Sequence, residues 1–329
     1  MIPEEPARAA GPELTAEMVA DSATASAPAI SPDGHWVAYL VTTASGAGQG
    51  PASTLWIAAT DGSEPPRPLT AGPAQAPRWT PDADAISYLA GGQLCLIRPD
   101  GSGEVTLTSW KPAITAHLPL GPLIAVVARD RELGGDPEVW SEPGRVNRLW
   151  QLEPGRAGLE PVAGLGDRHV VEIAARPDGE ALAVISWDRP EDEPGAFTAR
   201  LHIADLSTGQ VRDLGPAGLD ARSPVWWPAK DGWHVAYLAI TPPGPVGGDA
   251  IFDVPPEGPH RNLTAGLDVC PAELVQVPGK PPLALFADGL DTAVYQLDPG
   301  RGRFGRLRIW TGRADSLTVS GSGEPIALR

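Results

Sequence analysis

Glu191, Asp192 and Glu193 put three carboxylates in a row within "RPEDEPGAF". Clustered carboxylates attract an ammonium group, such as the free amine of a peptide. A second stretch, "RELGGDPEVWSEPGRV", carries Arg131, Glu132, Asp136, Glu138, Trp140, Glu142 and Arg145. Charges of both signs around one large aromatic suit contact with a peptide or another protein surface. For both stretches a solvated surface loop is the plainer reading. Metal chemistry leaves a weaker trace. Among His35, His117, His169, His202, His234 and His260, only His117 falls on a strand predicted to come first in its repeat. With Glu172 and Glu273 it is too sparse a set for a zinc site, so no metal and no cofactor are expected. Cys95 and Cys270 stand far apart in similar apolar settings and read as two buried thiols.

The elements that must carry these residues are short strands. In "AISPDGHWVAYL" an Asp-Gly turn stands between two apolar runs, the mark of a hairpin. The turn recurs around Pro32, Pro81, Pro119, Pro177, Pro228 and Pro278, at separations of 49, 38, 58, 51 and 50 residues. A weaker seventh copy is "LTVSGSGEPIALR". A second series interleaves with the first, each member a strand, a glycine turn and a short strand. Its turn glycines are Gly62, Gly101, Gly155, Gly209, Gly258 and Gly300. Each unit therefore predicts four strands, and four-stranded units of roughly 40–50 residues predict a β-propeller. The 38 prolines among 329 residues argue against long helices. The expected fold is an all-β, seven-bladed propeller whose seventh blade holds only two strands. The expected boundaries are a leader over 1–26 and blades over 27–70, 76–108, 114–164, 170–215, 222–264 and 271–310, with a partial blade over 315–329.

Charge and hydropathy narrow the partners. The formal net charge is −16, with lysine only at Lys111, Lys230 and Lys280, so nucleic acid is not an expected partner. No apolar run is long enough to span a membrane, so no membrane is expected either. "MIPEEPARAAGPELTAEMVA" lacks the basic and apolar regions of a secretion signal, which predicts a cytoplasmic location.

"ELTAEMVADSATASAPAISPDGHWVAYLVTT" followed by "STLWIAATDGSEPPRPLT" resembles the amino-terminal part of prolyl oligopeptidase-family serine peptidases, in the acylaminoacyl-peptidase and dipeptidyl-aminopeptidase-like branch. The resemblance covers essentially the whole chain. It implies a propeller that restricts a peptidase to short peptides, followed by an α/β-hydrolase domain that performs acyl transfer. That domain's Gly-x-Ser-x-Gly elbow does not occur; "VSGSGEP" lacks the spacing. No catalytic residue is carried over. The chain is therefore expected to be a fragment without activity of its own, its partners the missing hydrolase domain and a short peptide, with oligomers open.

The resemblance also implies which face matters. The loops between second and third strands, over 44–52, 131–146, 189–198 and 244–248, should meet the hydrolase or the substrate. That puts Arg131, Glu132, Asp136, Glu138, Trp140, Arg145, Glu191, Asp192 and Glu193 on the functional face. Two alternatives stand beside this reading: a stand-alone TolB-like propeller that binds a protein, and a propeller metalloenzyme such as a lactonase.

Overall fold

The computed structural model describes residues 15, 22–43, 52–130, 144–156, 158–244, 246–310, 314, 316–319 and 325–328. Its strands follow the chain blade by blade. Blade one is β1 (Ala23–Ile30), β2 (Trp36–Thr43), β3 (Ala52–Ala59) and β4 (Arg67–Pro68). Blade two is β5 (Gln75–Trp79), β6 (Ile86–Ala90), β7 (Gln93–Ile97) and β8 (Val105–Thr106). Blade three is β9 (Ile114–Pro119), β10 (Ile124–Arg129), β11 (Asn147–Leu152) and β12 (Glu160–Pro161). Blade four is β13 (His169–Ala175), β14 (Ala181–Trp187), β15 (Arg200–Asp205) and β16 (Val211–Pro216). Blade five is β17 (Leu219–Ala229), β18 (Gly232–Thr241), β19 (Gly248–Val254) and β20 (Arg261–Asn262). Blade six is β21 (Cys270–Val275), β22 (Leu283–Asp288), β23 (Asp291–Asp298) and β24 (Arg303–Trp310). Every blade is an antiparallel meander in sequence order. The last two strands, β25 (Ser316–Val319) and β26 (Pro325–Leu328), pair only with each other among the described residues.

The expected count of seven blades is corrected by this arrangement. The described residues form six four-stranded blades and one two-stranded hairpin. The final repeat copy predicts one turn between two strands, and one hairpin is not a blade. The hairpin nevertheless has a defined seat. Each first strand packs against the first strand of the next blade, from β1 through β5, β9, β13 and β17 to β21. β25 then packs on both β21 and β1. The first strands thus surround an axis, and the hairpin stands between blades six and one.

The core lies between blades. β14 shows why the second strands read as continuous apolar runs. Ala181, Ala183, Ile185 and Trp187 face blade five, while Leu182 and Val184 face blade three. Successive side chains on a strand point to opposite faces, and here both faces are covered. β10 divides the same way, with Ile124, Val126 and Ala128 toward blade two and Ala125 and Val127 toward blade four. Indole N–H groups tie junctions further. Trp79 Nε1 donates to the Ala29 carbonyl at 2.8 Å, and Trp226 Nε1 donates to the Ala174 carbonyl at 3.0 Å.

The first hairpin turn is built as its sequence predicts. Asp33 Oδ1 accepts the His35 N–H at 3.0 Å, the Ser31 hydroxyl accepts the Trp36 N–H at 2.9 Å, and Gly34 takes φ +79°. One feature of the repeat escaped the sequence reading. Ala27, Ala76 and Ser223 take φ of +49°, +48° and +51°, each directly before a proline, and the ladder shifts register at each. Proline has no N–H for the ladder, so the first strands bulge where Ala-Pro or Ser-Pro falls. Two smaller expectations also change. β1 begins at Ala23, inside the predicted leader, in an Ala/Ser/Thr run too weakly apolar to signal a strand. Cys95 is buried, but Cys270 is exposed at the start of β21.

Candidate functional site

The carboxylate row lies on the connection between β14 and β15. Glu191, Asp192 and Glu193 are exposed and lead into a short helical turn, Asp192–Gly195. The turn is seated on the end of β14. A Cβ added at Gly195 would come within 2.8 Å of the Arg189 carbonyl and 3.0 Å of the Trp187 ring, so glycine is what lets the backbone approach. Trp187 in turn stacks on His169, with centroids 6.1 Å apart and planes at 29°. The His169 Nδ1 accepts the Asn147 backbone N–H at 3.0 Å, which leaves Nε2 protonated in the neutral ring. Burial lowers the His169 pKa, and Arg129 lowers it further, against a smaller opposing pull from Glu191 and Asp192.

The two predicted stretches meet here. Glu191 Oε1 accepts the Gly144 backbone N–H at 2.9 Å, which holds its carboxyl below the usual range. Arg145, half-buried, follows directly. Arg131, Glu132, Asp136, Glu138 and Trp140 lie outside the described residues. The support beneath the row was not foreseen from sequence. Arg168 donates from Nε to Ser186 Oγ at 2.7 Å and from Nη2 to the Thr198 carbonyl at 2.7 Å, pinning the far end of the loop. Nothing in sequence spacing links Arg168 to Thr198; a Trp at the end of a second strand was the one available hint of a platform.

Ser186 belongs to a constellation that imitates a nucleophile site. Its Oγ lies 2.8 Å from His202 Nε2, and His202 Nδ1 lies 4.0 Å from Asp213 Oδ1. Ser186 is fully buried, so no carbonyl can reach the hydroxyl, and burial lowers the His202 pKa. The trio is a polar core contact.

The axis carries a second set. Glu172 Oε2 accepts the Ser223 N–H at 2.6 Å, and Glu273 Oε2 accepts the Leu317 N–H at 2.7 Å. Burial raises both carboxyl pKa values. His117 Nε2 lies 2.9 Å from Ser87 Oγ. The three residues of the metal candidate are thus held at separate blade junctions. Among the described residues no group of three His, Cys, Asp or Glu side chains is placed to hold a metal ion. None of the described helices is long and apolar enough to cross a membrane.

No family profile and no curated protein sequence matches the chain. Solved structures do. The chain is similar to the Pyrococcus horikoshii acylaminoacyl peptidase, with TM-score 0.64 and 13% identity, covering 92% of this chain and 48% of that one. It is similar to the β-propeller domain of the Trilobed protease from Pyrococcus furiosus, with TM-score 0.58 and 13% identity over 90% of this chain and 85% of that one. A putative TolB from Agrobacterium tumefaciens matches with TM-score 0.52 and 17% identity over 80% of this chain and 92% of that one. The chain thus spans about half the length of the acylaminoacyl peptidase it matches. At such identities the shared property is the fold: a propeller of the kind found in these peptidases.

Proposed function

We propose that this chain is the non-catalytic, substrate-gating propeller of a prolyl oligopeptidase-family serine peptidase. What carries the reading is the match of nearly the whole chain to about half of an acylaminoacyl peptidase, by fold. A ring of blades around an axis limits access by size, so short peptides pass and folded proteins do not. The exposed carboxylates of Glu191, Asp192 and Glu193 face the side on which a hydrolase domain would sit, and they would attract a peptide's amino terminus. Arg131, Glu132, Asp136, Glu138, Trp140 and Arg145 belong to the same proposed surface. Acyl transfer is left to a domain with its own nucleophile elbow. A cytoplasmic setting accords with the free thiols of Cys95 and Cys270.

The test is turnover of aminoacyl and acyl-aminoacyl chromogenic substrates by the purified 329-residue chain. The expected result is none. Hydrolysis that a serine-directed phosphonate abolishes would overturn the reading. A second reading, a TolB-like module that binds a protein partner, is favoured by the match to 92% of the putative TolB.

A further inference from the structure

Blades four and five leave a crevice of about 470 Å³ between them. Ile203 and Arg212 line it from blade four, and Trp226, Trp233 and Pro256 line it from blade five. Ile203 and Arg212 are direct partners across β15 and β16, so both side chains face blade five. Asp205 leads into the second turn of blade four, and Asp231 sits in the first turn of blade five. In an antiparallel meander these turns share one end. The crevice therefore opens at that end, away from the second-to-third-strand loop that carries Glu191.

The acidic groups at its rim are already held. Asp205 Oδ1 accepts the Ser207 and Thr208 N–H groups at 3.0 and 2.8 Å and the Ser207 hydroxyl at 2.7 Å. Asp231 Oδ1 lies 2.9 Å from His234 Nε2. Arg176, which also lines the crevice, is committed to Asp178 and to Glu180, each at 2.7 Å. Donors are what remains open. Among the described residues no acceptor meets the Arg212 guanidinium, the Gln210 amide or the Trp233 indole N–H, and all three residues line the crevice. Arg212 is exposed, and Trp233 is half-buried against the core between the two blades. Arginine and tryptophan are the residue types that most often anchor a protein contact, and here they share one concave site. The matching ligand brings an acceptor of negative charge and, beside it, an apolar group for Ile203 and Pro256. The net charge of −16 repels free anions at long range, which favours a single carboxylate carried on an otherwise neutral peptide.

We propose that this crevice is a docking site for an extended peptide segment in which an acidic side chain stands next to an apolar one. Arg212 takes the carboxylate, Gln210 and Trp233 supply further N–H groups, and the apolar neighbour lies over Ile203 and Pro256. The site is separate from the face assigned above to a hydrolase domain and goes beyond the gating role.

The test titrates the 329-residue chain with acetyl-Ala-Glu-Leu-Ala amide, with its Gln and Lys counterparts and with inorganic phosphate. The Glu peptide should bind about fivefold more tightly than the Gln peptide, the upper range for a solvent-accessible ion pair. R212Q should remove that preference while melting with the wild-type chain, and R212K should keep part of it. The indole 15N–1H signal of Trp233, identified by its loss in W233F, should move with the Glu peptide. Binding that leaves this signal still, equal binding of the Glu and Gln peptides, tighter binding of the Lys peptide, no binding at all, or a preference that survives R212Q would overturn the site. So would phosphate binding as tightly as the Glu peptide, which would make it a general anion site. Each of these outcomes leaves the gating role standing, and turnover by the chain alone would remove that role without touching the comparison of peptides.

Discussion

Glu273 Oε2 accepts the backbone N–H of Leu317 at 2.7 Å, and this bond fastens the two-stranded hairpin to blade six. Glu172 makes the same contact two junctions earlier, taking the Ser223 N–H of blade five. A carboxylate on one first strand thus holds the backbone of the next, and the hairpin is held as a blade would be. Replacing Glu273 by Ala leaves the buried Leu317 N–H without its acceptor, which costs about 1–3 kcal/mol. Hydrogen exchange should then quicken at β25 and β26 and stay unchanged in blades two to five. Unchanged exchange at Leu317 would show that packing alone seats the hairpin.

Trp79 is buried between blades one and two and donates to Ala29. Trp79→Ala should cost about 3–5 kcal/mol in a denaturant melt, from lost packing and a cavity. Trp79→Phe should cost less, since it keeps most of the ring and loses the hydrogen bond. A loss under about 1 kcal/mol for the alanine variant would place the side chain at the surface instead.

Ala83 sits at φ +63° in the blade-two turn, where Gly34 and Gly179 hold the corresponding conformation at +79° and +75°. An L-residue there is strained by about 1–2 kcal/mol, against which glycine costs about 0.4–1 kcal/mol more in unfolded-chain entropy. Ala83→Gly should therefore raise the melting temperature slightly. A lower melting temperature would contradict the strained turn.

Burial lowers the His117 pKa from 6.5 to about 4, and the Arg78 charge adds to the shift. A histidine depressed in the folded state contributes stability that is complete above its unfolded pKa near 6.5. That stability is lost as pH falls toward about 4, and amounts to about 3 kcal/mol in full. His169 and His202 are lowered too and act in the same direction. His234, held between Asp231 and Asp253, is raised and acts the other way. His117→Gln should flatten the stability profile between pH 7 and pH 5 relative to wild type. Parallel profiles would show that His117 takes up its proton without penalty.

The four-stranded repeat was legible because its signals are local. Asp-Gly turns and β-branched runs each act within a dozen residues, and they recur around Pro32, Pro81 and Pro177. The blade count was misread because a terminal hairpin copies half of that signal. The bulges at Ala27, Ala76 and Ser223 were readable as residue-proline pairs, but only their backbone conformation gives them meaning. The site was legible in part. Glu191 announced itself by charge, whereas its Gly144 partner is a backbone N–H that no residue type reveals. Ser87 and His117 stand 30 positions apart, and only the packing of blade two on blade three brings them within 2.9 Å.

The most direct test of the peptidase-gate account is the reading frame that follows the codon for Arg329. The account predicts an open frame that encodes Gly-x-Ser-x-Gly and then Asp and His, the nucleophile elbow and its partners. A stop codon there would contradict it and leave a propeller that works by binding alone.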